Sequence, residues 1–430
     1  MTPAARIAAA IELLTGVESA PTRPADGIAN DFFRSRRYIG ASDRRAVSER
    51  AWGVLRARRR LEWWLARGAV PPTPRLLVAA LLLFEGWTST GLGQAFSGGQ
   101  FAAAQLDATE RNGLRPLAGH TLDHPDMPDA VRLEIPDWLL PRLAARFGPM
   151  LVPELTALLD PAPLDMRANL LKASREDARA ALAAEGYEAE PTPISPWGLR
   201  LPGRRPVTAG PAFQSGLVEI QDEGSQLVAL LTDARPGMRV LDLCAGAGGK
   251  TLALAACMDN RGHIAACDVS APRLEAAVRR VRRAGAHNVE RHLIGPGDKW
   301  LKRRDGGFDR VLVDAPCTGT GTWRRNPDAR TRLTETDLSE LVVRQAGLLD
   351  QAAPLVRKGG RLVYATCSLL PDENEDQVRD FLARDARFAV VPLPRAWKLG
   401  APPCAGDMLV LTPRQHGTDG FFTAVLERIA

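Results

Sequence analysis

An apolar run, Arg239-Val-Leu-Asp-Leu243, is joined to a helix-forming stretch from Lys250 to Met258 by Cys244-Ala-Gly-Ala-Gly-Gly-Lys-Thr251. Glycines let a backbone reverse sharply and leave its amides uncovered, so this junction reads as a strand entering a helix through a ligand-facing turn. The same grammar recurs downstream. Strands are predicted at Gly262 to Cys267, Phe308 to Val313 and Gly360 to Thr366, helices at Pro272 to Ala284, Leu338 to Val356 and Asp372 to Arg384, and a last strand at Phe421 to Glu427. Strands alternating with helices specify a mostly parallel sheet covered on both faces, an α/β domain over residues 216–430.

The chain ahead of it follows other rules. Residues 1–150 read as all-helical: apolar positions recur at helical spacing from Ala5 to Leu14, Ser42 is placed to cap a helix through Trp52, Leu55 and Trp63-Trp64, and Leu76 to Phe84 is a buried helix. Trp52, Trp63, Trp64 and Trp87 are read as packing residues, and the glycines from Gly91 to Gly99 as a mobile loop. Residues 151–215 form a small α+β domain, with a strand at Met166 to Leu171, a helix from Ser174 to Glu185 begun by the Ser174-Arg-Glu-Asp177 capping box, and five prolines from Pro191 to Pro206 that keep the following chain extended.

Six cysteines scattered through 430 residues, with no secretory leader, suggest free thiols in a reducing compartment, and a cytoplasmic location is expected. The longest apolar stretch falls far short of the roughly 18 to 20 residues that span a membrane, so no membrane partner is expected. No His/Cys cluster has ligand spacing, and no metal is expected. A net charge of +6 says little by itself, but arginines cluster at Arg34 to Arg37, Arg56 to Arg60, Arg279 to Arg283 and Arg324-Arg325, with Lys302 to Arg304 between them. Such clusters pair with phosphates or form solvated helix faces, and both readings stay open on composition alone.

Asp268 ends the second predicted strand about 20 residues beyond the glycine turn, the place from which a carboxylate reaches ribose hydroxyls in dinucleotide-binding folds. The turn is not a Walker A motif, which would need glycine at Cys244, nor a dinucleotide fingerprint, which would need glycine at Thr251 when counted from Gly246. Two further cysteines sit just past strand ends: Cys317 in Asp314-Ala-Pro-Cys-Thr-Gly-Thr-Gly321, and Cys367 in Tyr364-Ala-Thr-Cys-Ser368. Strands of an open α/β sheet deliver their carboxyl ends to one crevice, so the two thiols can face one substrate, one attacking while the other moves a proton.

Leu241-Asp-Leu-Cys-Ala-Gly-Ala-Gly-Gly-Lys-Thr251, the Cys317 and Cys367 segments, and Arg324-Arg-Asn-Pro-Asp328 resemble the motif set of the Sun family of S-adenosylmethionine-dependent RNA cytosine-C5 methyltransferases, and are most similar to its bacterial members acting on 16S ribosomal RNA. Arg167-Ala-Asn169 to Lys172 and Gln221 to Gln226 match the family's pre-catalytic region, and the helical start resembles an antitermination-factor-like RNA-binding domain. The family usually has Ala-Pro where this chain has Gly246-Ala247. The resemblance implies a Rossmann-like methyltransferase domain and S-adenosylmethionine held by Cys244, Ala245, Gly246, Ala247, Gly248, Gly249, Lys250, Asp268, Asp298 and Asp314. It assigns nucleophilic attack on cytosine carbon 6 to Cys367, release to Cys317, and a contact with ring nitrogen 3 or the exocyclic amine to Asp314. Lys250 would hold either cofactor or substrate charge. The opposite use of the two thiols, as in DNA cytosine methyltransferases, stays open. RNA, ribosomal in the first instance, is the implied partner of an expected monomer, with Arg279 to Arg283, Arg324 and Arg325 as phosphate contacts. Transfer RNA as the substrate, and an RNA-binding assembly factor with an inactive methyltransferase domain, are the alternatives.

Overall fold

The computed structural model describes every residue except Arg204 and Pro296. It divides into two compact units, Met1–Leu159 with Trp323–Thr334, and Asp160–Thr322 with Glu335–Ala430.

The first unit is helical. Pro3–Glu18, Ala25–Ser35, Ala41–Arg56, Arg58–Arg67 and Pro74–Phe84 enclose a core that includes Leu13, Leu61, Trp64 and Leu77. Trp52 and Trp64 are buried packing residues, as their spacing predicts, and Trp63 and Trp87 pack half-buried against the same core. Three expectations need correction. Gly40, not Ser42, is the N-cap, and the single helix expected through Trp64 breaks at Ala57. The break is fixed by Glu134, whose buried carboxylate accepts from the Arg59 and Arg60 amides at 2.9 and 3.1 Å and so caps the second helix from elsewhere in the chain. Gly91 and Gly93 lie in the helix Ser89–Ala95, whose start is capped by the Thr88 hydroxyl, so that part of the expected loop is helical.

Most of the Arg56 to Arg60 cluster is internally neutralised. Arg58 pairs with Glu18 and Glu62, Arg59 with Asp137, and Arg60 with Asp123 and Glu134. The Trp323–Thr334 segment contributes buried Trp323 and Arg324 to this unit. Asp328 accepts from the Ala25 amide at 3.1 Å and Arg330 donates to the Leu158 carbonyl. Arg324 is therefore an interior residue rather than an exposed phosphate contact.

The second unit holds two sheets. Strands β1 (Leu164–Ala168), β2 (Glu190–Pro191), β3 (Gly198–Leu201) and β4 (Val218–Ile220) form an antiparallel sheet in the order β2-β3-β1-β4, covered by the helix Arg175–Ala184. That helix starts with the expected reciprocal Ser174–Asp177 capping box. Asn169 donates to the carbonyls of Gly216 and Ala284, both at 2.8 Å, and Lys172 donates to those of Ser215 and Arg283. The motif residues around Arg167 thus tie the small sheet to the end of a helix of the larger one.

The larger sheet contains β5 (Arg239–Asp242), β6 (His263–Asp268), β7 (Val289–Leu293), β8 (Phe308–Asp314), β9 (Val356–Thr366), β10 (Phe388–Val390), β11 (Leu409–Leu411) and β12 (Phe421–Arg428). Its order is β7-β6-β5-β8-β9-β12-β10, with β11 pairing β12; β7 through β9 are parallel and the rest antiparallel. Apolar β5, β6, β8 and β9 are buried on both faces, as a parallel sheet covered by helices requires. The sheet is the expected Rossmann-like one. The chain winds outward from β5 through β6 to β7, then resumes at β8 on the other side of β5. That reversal opens a crevice at the carboxyl ends of β5 and β8.

Candidate active site

The glycine turn, Asp268, Asp298, Asp314, Cys317 and Cys367 all lie at this end of the sheet. The turn after β5 is drawn toward β6: the Ala245 amide donates to the Cys267 carbonyl at 2.8 Å, and the Gly246 amide to Asp268 Oδ2 at 2.8 Å. Gly246 and Gly248 adopt φ of 54° and 82°, left-handed values that glycine takes at little cost. A Cβ at Gly246 would point toward Asp268, 4.0 Å from Oδ2, so the missing side chain leaves the space before that carboxylate clear. The other carboxylate oxygen accepts from the Ser270 amide at 2.8 Å. Each oxygen keeps a second lone pair, and the amides of Ala247 and Gly249 meet no protein acceptor among the described residues. Acceptors beside uncovered donors in a side-chain-free hollow suit a nucleoside. Asp298 lies after β7, where its Oδ1 caps the short helix Lys299–Lys302 by accepting from the Trp300 and Leu301 amides.

The Arg279 to Arg283 cluster divides by face. Arg279 and Arg282 are exposed, whereas Arg280 donates to the Ala247 carbonyl at 3.0 Å and to buried Glu219 at 3.1 Å, and Arg283 also pairs with Glu219. Arg280 and Arg283 are thus engaged inside the protein, and Arg280 braces the glycine turn. Its signal was its place beside Ala277 and Ala284, buried residues of the helix Ala271–Ala284.

Lys250 reaches across from the turn to Asp314 at the end of β8, Nζ to Oδ2 2.7 Å, and Oδ1 of Asp314 has no protein partner among the described residues. Burial opposes the lysine's charge, but the Asp314 carboxylate outweighs it and holds the ammonium above its ordinary range. Beyond β8 and β9 pairing continues: the Ala315 amide donates to the Ala365 carbonyl at 2.8 Å and the Gly321 amide to the Cys367 carbonyl at 2.9 Å. These bonds set the two post-strand loops side by side and bring Cys317 Sγ to 3.4 Å from Cys367 Sγ. Both residues are half-buried, open enough for a substrate to reach.

The hydrogen bond shared with Cys367, burial, and electrostatic interaction with Cys367 and Glu373 push the Cys317 thiol well up. Burial, reinforced by carboxylates, likewise keeps Cys244 and Cys267 protonated, and burial holds Cys257 at about 11. Cys267 is fully buried in a core cluster and Cys404 packs half-buried against another, the packing roles expected of them. Among the described residues no group of three or more His, Cys, Asp or Glu could hold a metal ion, and no helix is long and apolar enough to cross a membrane.

A family model described as 16S rRNA methyltransferase RsmB/F matches residues 229–427, and one described as an RsmF/B-like ferredoxin-like domain matches 135–208. Ribosomal RNA small subunit methyltransferase B of Photorhabdus laumondii is 34% identical over 298 residues, 68% of this chain and 66% of that protein, just under two thirds of its length. "Probable ribosomal RNA small subunit methyltransferase B" of Synechocystis sp. is 31% identical over 435 residues, 93% of this chain and 95% of that protein. Among solved structures, PH0851 superposes with a TM-score of 0.81 at 27% identity over 99% of each chain. A methyltransferase homolog protein from Pyrococcus horikoshii gives 0.61 at 30% identity over 71% of this chain and 100% of that one. With one relative aligned along nearly its whole length and the same motifs gathered at one sheet end, the chain belongs to the 16S rRNA methyltransferase RsmB/F family.

Proposed function

We propose that this protein methylates carbon 5 of a cytosine in small-subunit ribosomal RNA, using S-adenosylmethionine and a transient bond between Cys367 and the base. The observation that carries the reading is the 3.4 Å separation of two half-buried thiols beside the Lys250–Asp314 pair. The names of its relatives supply the RNA. In this reading residues 1–150 are a helical RNA-binding domain, 151–215 a connecting domain and 216–430 the catalytic one.

Asp268 would hold the ribose hydroxyls of the cofactor, the Cys244 to Gly249 turn its backbone-facing edge, and Asp298, through the oxygen not used in capping, its adenine amine. When bound, S-adenosylmethionine supplies an electrophilic methyl group to carbon 5 of the base. Cytosine is too poor a nucleophile at that carbon to accept it unaided, so the Cys367 thiolate adds to carbon 6, its electron pair forming the sulfur–carbon bond while the pair of the 5,6 double bond moves to carbon 5. Asp314 meets nitrogen 3 or the exocyclic amine through its free Oδ1 while Lys250 occupies Oδ2, which steadies the charge redistributed over the ring. For release, the carbon 5 proton must leave, its electron pair re-forms the 5,6 double bond, and the bond from carbon 6 to sulfur breaks. Cys317 gives its thiol proton to the departing Cys367 sulfur and recovers one from carbon 5, so protons and charge balance. A base within a stacked helix cannot meet these groups, so an unpaired or opened RNA segment is the substrate.

Bisulfite sequencing of small-subunit RNA from cells with and without the gene tests the reading. One protected cytosine should become convertible when the gene is deleted and be protected again when it is restored; an unchanged pattern overturns the ribosomal assignment. Arg280 offers a test of the cofactor turn. Arg280→Met removes the charged donor to Ala247, a hydrogen bond of roughly 1.5 to 3 kcal/mol, and calorimetry should show cofactor affinity reduced about tenfold or more. Unchanged affinity would mean the turn needs no brace.

A further inference from the structure

Glu373 is fully buried, yet it pairs with no cation among the described residues. Its carboxylate instead accepts from the Thr318 amide at 2.9 Å, the Thr318 hydroxyl at 2.5 Å and Gln345 Nε2 at 2.9 Å. Three donors and no acceptor are what an ionised carboxylate requires. The same Gln345 nitrogen donates to the Pro316 carbonyl at 2.9 Å, so the residues on both sides of Cys317 are tied to Glu373. Glu373 is in turn anchored to β9: the Tyr364 hydroxyl donates to its backbone carbonyl at 2.6 Å, and neighbouring Asn374 bonds Thr366 and the Ser368 carbonyl on either side of Cys367. Burying an unpaired carboxylate costs several kcal/mol, and a loop needing only to be packed would be held more cheaply by neutral groups.

We propose that Glu373 is a positioning residue that, with Gln345, clamps the Cys317 loop against Cys367 and keeps Cys317 the protonated member of the pair. The inference rests on the two-thiol reading and adds what divides the labour. The titratable groups around Cys317 are Cys367 and Tyr364 along β9 and its following loop, Glu373 beyond them, and the Lys250–Asp314 pair before it. Glu373 is one of the groups that raise the Cys317 thiol, while the Lys250 ammonium feels Cys367. A carboxylate held beside the Cys317 loop favours the thiol at Cys317.

The test separates this charge effect from mere scaffolding and needs no RNA. In a Cys367→Ala background, iodoacetamide alkylation of Cys317 is followed against pH, with and without Glu373→Gln. The substitution should move the midpoint to lower pH and speed alkylation at pH 7 about tenfold, the change in thiolate fraction that one pKa unit produces. With Cys367 restored, Glu373→Gln should accumulate protein–RNA complex in denaturing gels without a rise in KM for RNA. An unchanged midpoint in a variant that melts cooperatively overturns the inference. Should Glu373→Gln fail to melt cooperatively, Thr318→Val decides: it removes only the hydroxyl donor, accumulation of complex supports the clamp, and normal turnover overturns it. If Cys317→Ala turns over normally, the two-thiol reading fails instead; if Cys317→Ala traps complex but Glu373→Gln changes neither measurement, only the present inference fails.

Discussion

Cys367→Ala is expected to abolish methylation and the covalent protein–RNA complex together, whereas Cys317→Ala lets the complex form and then accumulate. Removing a nucleophile closes the covalent route altogether, so methyl transfer by Cys367→Ala should fall on the order of 10⁴-fold or more. Removing Cys317 leaves attack available but deprives the departing sulfur of the proton donor 3.4 Å away. The gel band should then contain RNA already methylated, which digestion and mass spectrometry of the trapped nucleotide would show. The opposite division of labour predicts the mirror image, with Cys317→Ala inert and Cys367→Ala trapped. Electrostatics favour the first arrangement, because the contact with Cys367, partial burial and the nearby Glu373 carboxylate all raise the Cys317 thiol and hold its proton in place. A Cys317→Ala enzyme that turns over at the normal rate without trapped complex would remove the second thiol from the mechanism.

The strands that carry this site were legible because each joins an apolar run to a distinctive carboxyl-end motif. Residues Arg239 to Leu243 and Phe308 to Val313 announce buried strands, and glycine or Pro-Cys immediately after them announces the turn. Their order in space was not legible, since pairing of β5 with both β6 and β8 joins residues far apart in the chain. Strand β7 escaped notice for a local reason: Val289-Glu-Arg-His-Leu293 is an edge strand with no fully buried residue, so it needs no apolar run. The break at Ala57 carries neither glycine nor proline, and only Glu134, far along the chain, marks it. The roles of the arginine clusters were not legible because their carboxylate partners, Glu219 for Arg280 and Arg283, Glu134 and Asp123 for Arg60, are distant in sequence. One signal was readable and overlooked. Gln345 interrupts the buried stripe Leu338, Leu349 and Ala352 of the helix Glu335–Ala352, and a polar residue on a buried face needs a partner, here Glu373 and the Pro316 carbonyl.

Stability is expected to fall as pH rises from about 5.5 to 8, and Asp242→Asn to remove most of that fall. Asp242 closes β5 and is almost fully buried; Oδ2 accepts from the Thr251 hydroxyl at 2.7 Å, and Oδ1 has no hydrogen-bond partner among the described residues. Burial, resisted by that hydroxyl and by Lys250 but reinforced by Asp314 and Asp268, carries the carboxyl from 3.8 to about 7. A group bound more tightly to its proton in the folded state stabilises that state fully below its unfolded value and loses the contribution as pH climbs through the folded one. The full contribution near pH 3 is about 4 kcal/mol, of which about 2 kcal/mol remains at pH 5.5 and almost none at pH 8. Urea denaturation at the two pH values should therefore show wild type losing about 2 kcal/mol more than Asp242→Asn, which keeps an uncharged acceptor for Thr251 at either pH. The comparison between variants cancels groups that titrate in both, and it does not require the two units to unfold together, provided the transition followed belongs to the unit containing β5. Equal losses in the two proteins would place the pH dependence elsewhere and mean that Asp242 is ionised in its burial site, held there by Lys250 across the crevice.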